Sequence, residues 1–214
     1  MQRLITLIVL LFVGGLSFTT ASAEEYQEGV QYERILPAQP TSTGNKVEVL
    51  EVFWYGCPHC FRFEPYIERW IRHEPKNAEF VRMPGVFRPS WEVHARAYYT
   101  AVLLGVVDKI HTPLFNAIHL ERKRLNTEAA LRDFFYKTAG VDKDTFTKTY
   151  RSFAVETRIR RARTMASRYG ISGVPTVIVN GKYRVSAETA GSNAEVLKVI
   201  NFLVAKESKA MGLK

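Results

Sequence analysis

From Val47 to Phe53 the chain reads Val-Glu-Val-Leu-Glu-Val-Phe, β-branched and apolar residues interrupted by acids at a spacing near two. That rhythm predicts a strand. A helix is predicted to start at Pro58, directly after Cys57, with Phe63, Ile67 and Trp70 along one apolar stripe. Pro65 lies within it; because the stripe continues past the proline, one kinked helix is expected rather than two. Ala78 to Met83 predicts a second short strand, ended by Pro84-Gly85. Ahead of these elements, Glu24 to Asn45 holds Pro37, Pro40 and small polar residues and reads as an irregular arm.

The pattern becomes helical from about Pro89 to Gly170. Trp91, Ala95, Tyr98, Val102 and Leu103 recur at helical spacing. Asn126 is a candidate N-cap for a helix carrying Leu131, Phe134 and Phe135 and stopping at Gly140; Asp142 is one for a longer helix with Phe146, Tyr150 and Phe153 that runs toward Gly170. These stripes read as helix-packing surface. Strand signals return at Pro175 to Val179, Asn180-Gly181 is a preferred two-residue hairpin turn, and Lys182 to Val185 follows as its second strand. A last helix, about Ser192 to Ala205, carries Val196, Leu197, Val199, Ile200 and Leu203. The order β-α-β, helical block, β-β-α predicts an α/β fold split by a helical insertion.

The first residues change the picture of where this fold works. Met1-Gln2-Arg3 is a short positive start, Leu4 to Val13 is apolar apart from Thr6, and Ala21-Ser22-Ala23 is a small-residue cleavage site. This is an export signal ending at residue 23; the apolar run is too short for a span of about 20 residues. No later segment is long and apolar enough to cross a bilayer. Removing those residues, which hold one Arg and no acid, reduces the net charge of +9 to +8. A basic balance admits nucleic acid, anionic lipid or plain solubility, and export argues against nucleic acid. The remaining length buries an ample core without staples.

The chain has only two cysteines, and they stand together in Cys57-Pro58-His59-Cys60. Such a pair can be half a zinc site, a structural staple or a redox-active dithiol. A staple closing so small a ring contributes only roughly 2 kcal/mol. Structural zinc takes four ligands, and His73, His94, His111 and His119 offer neither a second Cys-x-x-Cys nor a close His pair. The helix start favours the dithiol. With Pro58 as first helical residue, Cys57 is the N-cap, and its sulfur can accept from the amides of His59 and Cys60. The helix dipole favours an anion there, and His59 can add a positive charge; each lowers the thiol from its free value of about 8.5. Cys60 falls on the buried face, while Cys57 is expected to face solvent. Cys57 is therefore the expected nucleophile and Cys60 the resolving cysteine. Stabilising the reduced thiolate makes the disulfide more oxidising.

With these motifs and Gly173-Val174-Pro175-Thr176 before the hairpin, the chain resembles the thioredoxin superfamily, and more closely the DsbA-type periplasmic thiol–disulfide oxidoreductases. The resemblance covers most of the mature chain. It implies a thioredoxin-like fold in two parts, residues 24–87 and 161–214, around an inserted helical domain of residues 88–160. It also implies a low nucleophile pKa and an oxidising couple, for which this family is a standard example. Pro58 and His59 would tune the couple. Pro175, after Val174, would be a cis proline beside the disulfide, with Val174, Pro175 and Thr176 offering backbone to an extended substrate. Glu51 matches the family's buried acid, with proton transfer to or from Cys60 as its role. The family's lysine partner for that acid is missing from Asn77-Ala78-Glu79-Phe80, which leaves the charge balance beneath the disulfide open.

The expected function is a soluble, monomeric periplasmic oxidant. It would donate a Cys57–Cys60 disulfide to newly exported, unfolded proteins, without metal or other cofactor, and be recharged by a membrane-bound, quinone-linked oxidase of the DsbB type. A reductase or isomerase is the alternative within the class, although no dimerisation segment is visible. A soft-metal carrier is the alternative outside it; Met or His clusters near the motif are lacking. The run Arg158, Arg160, Arg161, Arg163 and Arg168 reads as a solvated helix face, with contact to anionic lipid or an acidic partner as the sharper possibility.

Overall fold

A computed structural model describes residues 26–213. The expected signal segment and its cleavage site lie outside the described residues. Five strands form one sheet: β1 (Glu33–Arg34), β2 (Val47–Phe53), β3 (Ala78–Pro84), β4 (Thr176–Val179) and β5 (Tyr183–Val185). Their order is β1-β5-β4-β2-β3. Only the β2–β3 pair is parallel; β2–β4, β4–β5 and β1–β5 are antiparallel. The parallel pair needs a crossover, supplied by α1 (Pro58–Arg72).

Central β2 is buried along its whole length, Glu48 and Glu51 included. Its alternation therefore separates two covered faces rather than core from water. Val47 and Val49 pack with Phe63, Ile67 and Trp70 of α1 and with Val196, Val199, Ile200 and Leu203 of α8 (Asn193–Ala210). Leu50 and Val52 meet Ala162, Met165 and Ala166 of α6 (Phe153–Arg168) on the other face. Glu51 thus points toward the side covered by α1. Glu48, on the α6 side, accepts from the Ser42 amide and hydroxyl at 2.7 and 2.6 Å.

Between β3 and β4 stand α2 (Glu92–Leu103), α3 (Val107–His119), α4 (Glu128–Ala139), α5 (Lys143–Tyr150) and α6. Gly140 ends α4 at φ 70° and Asp142 caps α5, as the residue types predict. Three expectations here are corrected. Thr127, not Asn126, caps α4 with its hydroxyl on the Ala130 amide at 3.3 Å. The long helix after Asp142 is two helices, because Ser152 takes the Val155 amide and caps α6 afresh. Phe153, at the first turn of that new helix, is consequently 76 % exposed, and Val102 and Leu103 at the end of α2 also lie at the surface.

The arm is not wholly irregular. Glu33 and Arg34 pair with Arg184 and Tyr183, because β5 would otherwise be an open edge. The hairpin is as predicted, with Asn180 and Gly181 both at positive φ, 51° and 65°. A one-turn helix, α7 (Ala187–Ala190), precedes α8. The N-terminal half of α6 (Val155, Ile159) packs with Ala95 of α2, and its C-terminal half packs on the sheet. One continuous helix therefore spans the expected boundary at residue 160 and joins the insertion to the sheet. Its outer face carries Arg160, Arg161, Arg163 and Arg168; Arg163 pairs with Glu92 at 2.5 Å, and Arg160 lies over the Phe153 ring at 5.5 Å.

Candidate active site

The end of β2 delivers the chain to the two cysteines. Phe53, Tyr55, Cys57 and Cys60 share one core with Leu114 and Phe115 of α3, so the cysteines lie at the seam between sheet and inserted helices. The Cys57 amide donates to Trp54 O at 2.9 Å, and the Cys60 amide donates to Cys57 Sγ at 3.4 Å. Cys57 is the N-cap of α1, with Pro58 in the first turn. Pro58 and His59 are exposed. The α1 helix continues through Pro65, whose ring faces outward, while Cys60, Phe63, Glu64, Ile67 and Trp70 form the buried stripe.

Both cysteines are unbonded, and their sulfurs are treated oppositely. Cys57 is lowered to about 6: the Cys60 side-chain hydrogen bond acts most strongly, the Cys60 and His59 amides and the His59 charge assist, and burial opposes them. Cys60 is pushed far up by burial, then by its hydrogen bond to Cys57 and by the charges of Cys57 and Glu51. The expectation that Cys57 faces solvent is corrected. It is only 7 % exposed against 0 % for Cys60, because Val174 folds over it and brings its carbonyl oxygen to 3.4 Å from Sγ. The Val174–Pro175 bond is cis, as the resemblance implied. Thr176 anchors the end of this loop, its hydroxyl donating to Gly173 O at 2.8 Å. Arg62 Nη2 stands 3.0 Å from His59 Nδ1, which places a guanidinium beside the motif.

Beneath the cysteines, Glu51 is fully buried. Its cation is Arg82, directly opposite it on β3, with Nε donating to Oε2 at 3.1 Å. This closes the open charge balance: the cation beside Glu51 is an arginine, beyond the stretch in which a partner was sought. Arg82 also donates to Glu68 at 2.6 Å and stands 3.5 Å from Glu64. Burial raises Glu51, the Glu64 charge raises it further, and Arg82 only partly offsets them. Glu64 is raised by burial as well. Burial opposes the Arg82 charge, but the surrounding acids outweigh it and keep the guanidinium charged. His111, with Nε2 at 3.3 Å from Glu64 and Nδ1 at 2.9 Å from the Tyr55 hydroxyl, is held well below its ordinary value by burial. Glu51 Oε1 has no hydrogen-bond partner. The chemistry available is a nucleophilic thiolate at Cys57, a neutral thiol at Cys60 and a buried acid able to hold a proton near neutral pH.

Sequence reasoning missed Arg82, Glu64, Glu68 and His111. Two signals were available: Ala78, Phe80 and Arg82 alternate in step with Val47, Val49 and Glu51 in the parallel register, and Glu64 is one helical turn from Cys60. Among the described residues no group of three or more His, Cys, Asp or Glu is arranged to hold a metal ion.

A family model described as a DSBA-like thioredoxin domain matches residues 48–197. The chain belongs to this DsbA-like thioredoxin family. It is 40 % identical to the thiol:disulfide interchange protein DsbA of Pseudomonas aeruginosa, over 98 % of this chain and 99 % of that one. The Burkholderia cepacia DsbA is 37 % identical over 95 % and 96 % of the two chains. A crystal structure of Pseudomonas aeruginosa DsbA superposes with a TM-score of 0.83 at 41 % identity, covering 87 % of this chain and 97 % of that one. DsbA from Xylella fastidiosa gives 0.80 at 34 % identity, covering 86 % and 98 %. The α/β, thioredoxin-like fold is therefore that of the DsbA-like proteins, and the activity is thiol:disulfide interchange, an oxidoreductase reaction on disulfide bonds.

Proposed function

We propose that this DsbA-like protein is an oxidant that passes a Cys57–Cys60 disulfide to cysteine pairs in newly exported proteins, acting as a soluble periplasmic monomer. A substrate thiolate attacks Cys57 Sγ, the Cys57–Cys60 bond breaks, and the Cys60 sulfur leaves and takes a proton. A second substrate thiolate then attacks the substrate sulfur of the mixed disulfide and expels Cys57 as a thiolate. The substrate loses two electrons and two thiol protons, and the enzyme is left with both cysteines reduced. Pro58 and His59 tune the couple, Glu51 exchanges the Cys60 proton, and Val174, Pro175 and Thr176 hold the substrate main chain. The disulfide is the whole redox group, with no metal or added cofactor. Recharging falls to a membrane quinone-linked oxidase of the DsbB type. Residues 24–87 and 161–214 are the two thioredoxin-like parts, and 88–160 the inserted helical domain.

The observation that carries this reading is the unequal treatment of the two sulfurs. A sulfur stabilised as an anion is a good leaving group and a poor partner in a lasting bond, so the disulfide tends to be given away. The same inequality disfavours the reductase reading, which needs a more stable disulfide. Cys57→Ser is expected to abolish oxidation of a reduced, unfolded test protein; activity retained in that variant would overturn the site assignment. Among the described residues no helix is long and apolar enough to cross a membrane.

A further inference from the structure

The loop that places Val174 beside Cys57 begins where α6 ends, at Tyr169-Gly170. Helix ends leave carbonyls without intrahelical partners. Here backbone amides take the carbonyls of Met165, Ala166 and Ser167, and one side chain from elsewhere in the sheet takes two more, just past the helix end. Arg184, in the middle of β5, donates from Nη1 to Gly170 O at 2.7 Å and to Tyr169 O at 3.3 Å. Its Nε is fixed at the same time by Glu33, its cross-strand neighbour on β1. Gly170 stands at φ +63°, and a Cβ there would lie 2.5 Å from Arg184 Nη1, so the guanidinium occupies the space a side chain would need.

Glu33, Gly170, Arg184, Val174 and His59 all line one groove of about 710 Å³ that runs to the catalytic motif. The chain between the two anchors is short. Ile171 N bonds back to Ala166 O at 3.1 Å, Ser172 and Gly173 are exposed, and Thr176 holds Gly173 O. The start of the loop is therefore held by the backbone turn at Gly170 together with Arg184, and its end by Thr176.

We propose that Arg184 is a positioning residue for disulfide exchange. By clamping the Tyr169 and Gly170 carbonyls, just past α6, against the β1–β5 edge, it holds the Ile171–Gly173 segment so that the Val174 backbone meets an extended substrate next to Cys57. This deepens the proposed function and rests on it. Arg184 acts through the loop and touches neither sulfur. Its loss should therefore weaken reactions that need the loop and spare those that do not.

Arg184→Met keeps the apolar stem and removes the donors. Oxidation of a reduced dithiol peptide is expected to slow about tenfold, as for the loss of a well-placed pair of carbonyl hydrogen bonds, while oxidation of dithiothreitol, too small to lie along the loop, stays unchanged. The Cys57 thiolate absorbance should titrate as in the parent, since the α1 amides are untouched. Arg184→Lys, with a cation for Glu33 and a donor for a carbonyl, should recover most of the peptide rate. Equal slowing of both substrates, or an unchanged peptide rate in folded Arg184→Met, would overturn the clamp. A parent protein that fails to oxidise peptide at all would instead sink the proposed function. The clamp would then be decided by hydrogen exchange at Ser172, Gly173 and Val174: faster exchange in Arg184→Met supports it, and identical exchange refutes it.

Discussion

Glu51 shows how one buried carboxyl can serve turnover at the expense of stability. Its pKa is raised from 4.5 to about 8 by burial and by Glu64. Between those values the folded protein holds a proton that the unfolded chain has released, so stability falls as pH rises through this window. Glu64, also raised by burial, adds a slope of the same sign, so removing the Glu51 carboxyl while keeping its shape should reduce the slope rather than abolish it. In the oxidised protein, where no Cys57 thiolate adds an opposite slope, Glu51→Gln is therefore expected to lessen the pH dependence of urea unfolding between about pH 5 and 8 and to raise stability near pH 8. It should also slow the step in which Cys60 exchanges its proton, by up to about 10². An unchanged unfolding slope would show that Glu51 titrates like a surface acid. Part of this was legible in the residues, since Glu51 stands on the strand that leads to the motif. That Glu51 is buried on a covered face, and that Arg82 answers it, depends on neighbours that lie far apart in sequence.

At the scale of elements, local chemistry and tertiary contact agree at the β4–β5 hairpin. Asn180-Gly181 supplies two positive-φ residues, which the primed turn requires. Packing adds a second demand. A Cβ on Gly181 would lie 2.1 Å from Gln39 O, because the arm crosses the turn and the Gln39 amide donates to Gly181 O at 2.9 Å. Gly181→Ala combines backbone strain with a clash against rigid main chain. It should destabilise the protein by about 2 kcal/mol or more, read as a lower urea midpoint with an unchanged slope. Boundaries followed the same logic. Gly140 and Asp142 end and start helices through their own backbone and side-chain preferences. The break at Ser152 was hidden, because the apolar spacing runs on from Tyr150 to Phe153 while the new cap turns Phe153 outward.

For the whole molecule, the low Cys57 pKa links redox state to folding. The reduced protein carries the thiolate and the oxidised protein does not, whereas Glu51 is present in both and cancels in their difference. Cys57 is lowered from 9.0 to about 6 on folding. Between those values the unfolded reduced chain binds a proton that the folded one has lost, so reduced-state stability rises with pH and is lost as pH falls through about 6. The stability of the reduced form relative to the oxidised form should therefore grow by roughly 2–3 kcal/mol from pH 5 to pH 8. Unfolding both forms in urea at pH 5, 6.5 and 8 measures this; a gap independent of pH would place the thiol near its ordinary value.

By itself the sequence determined what short-range physics decides. A period of two against a period of 3.6 separates strand from helix, Pro58 and Cys57 start α1 with a sulfur at its cap, and Asn180-Gly181 turns the hairpin. Tertiary structure alone decided what depends on neighbours from distant segments. It set the near-complete cover over Cys57 by the Val174 loop, the Glu51–Arg82–Glu64 cluster under Cys60, and the Arg184 bridge from β5 to the end of α6. Burial and electrostatic coupling arise only when residues far apart along the chain are brought within a few ångströms, and no local rhythm of residue types encodes that distance.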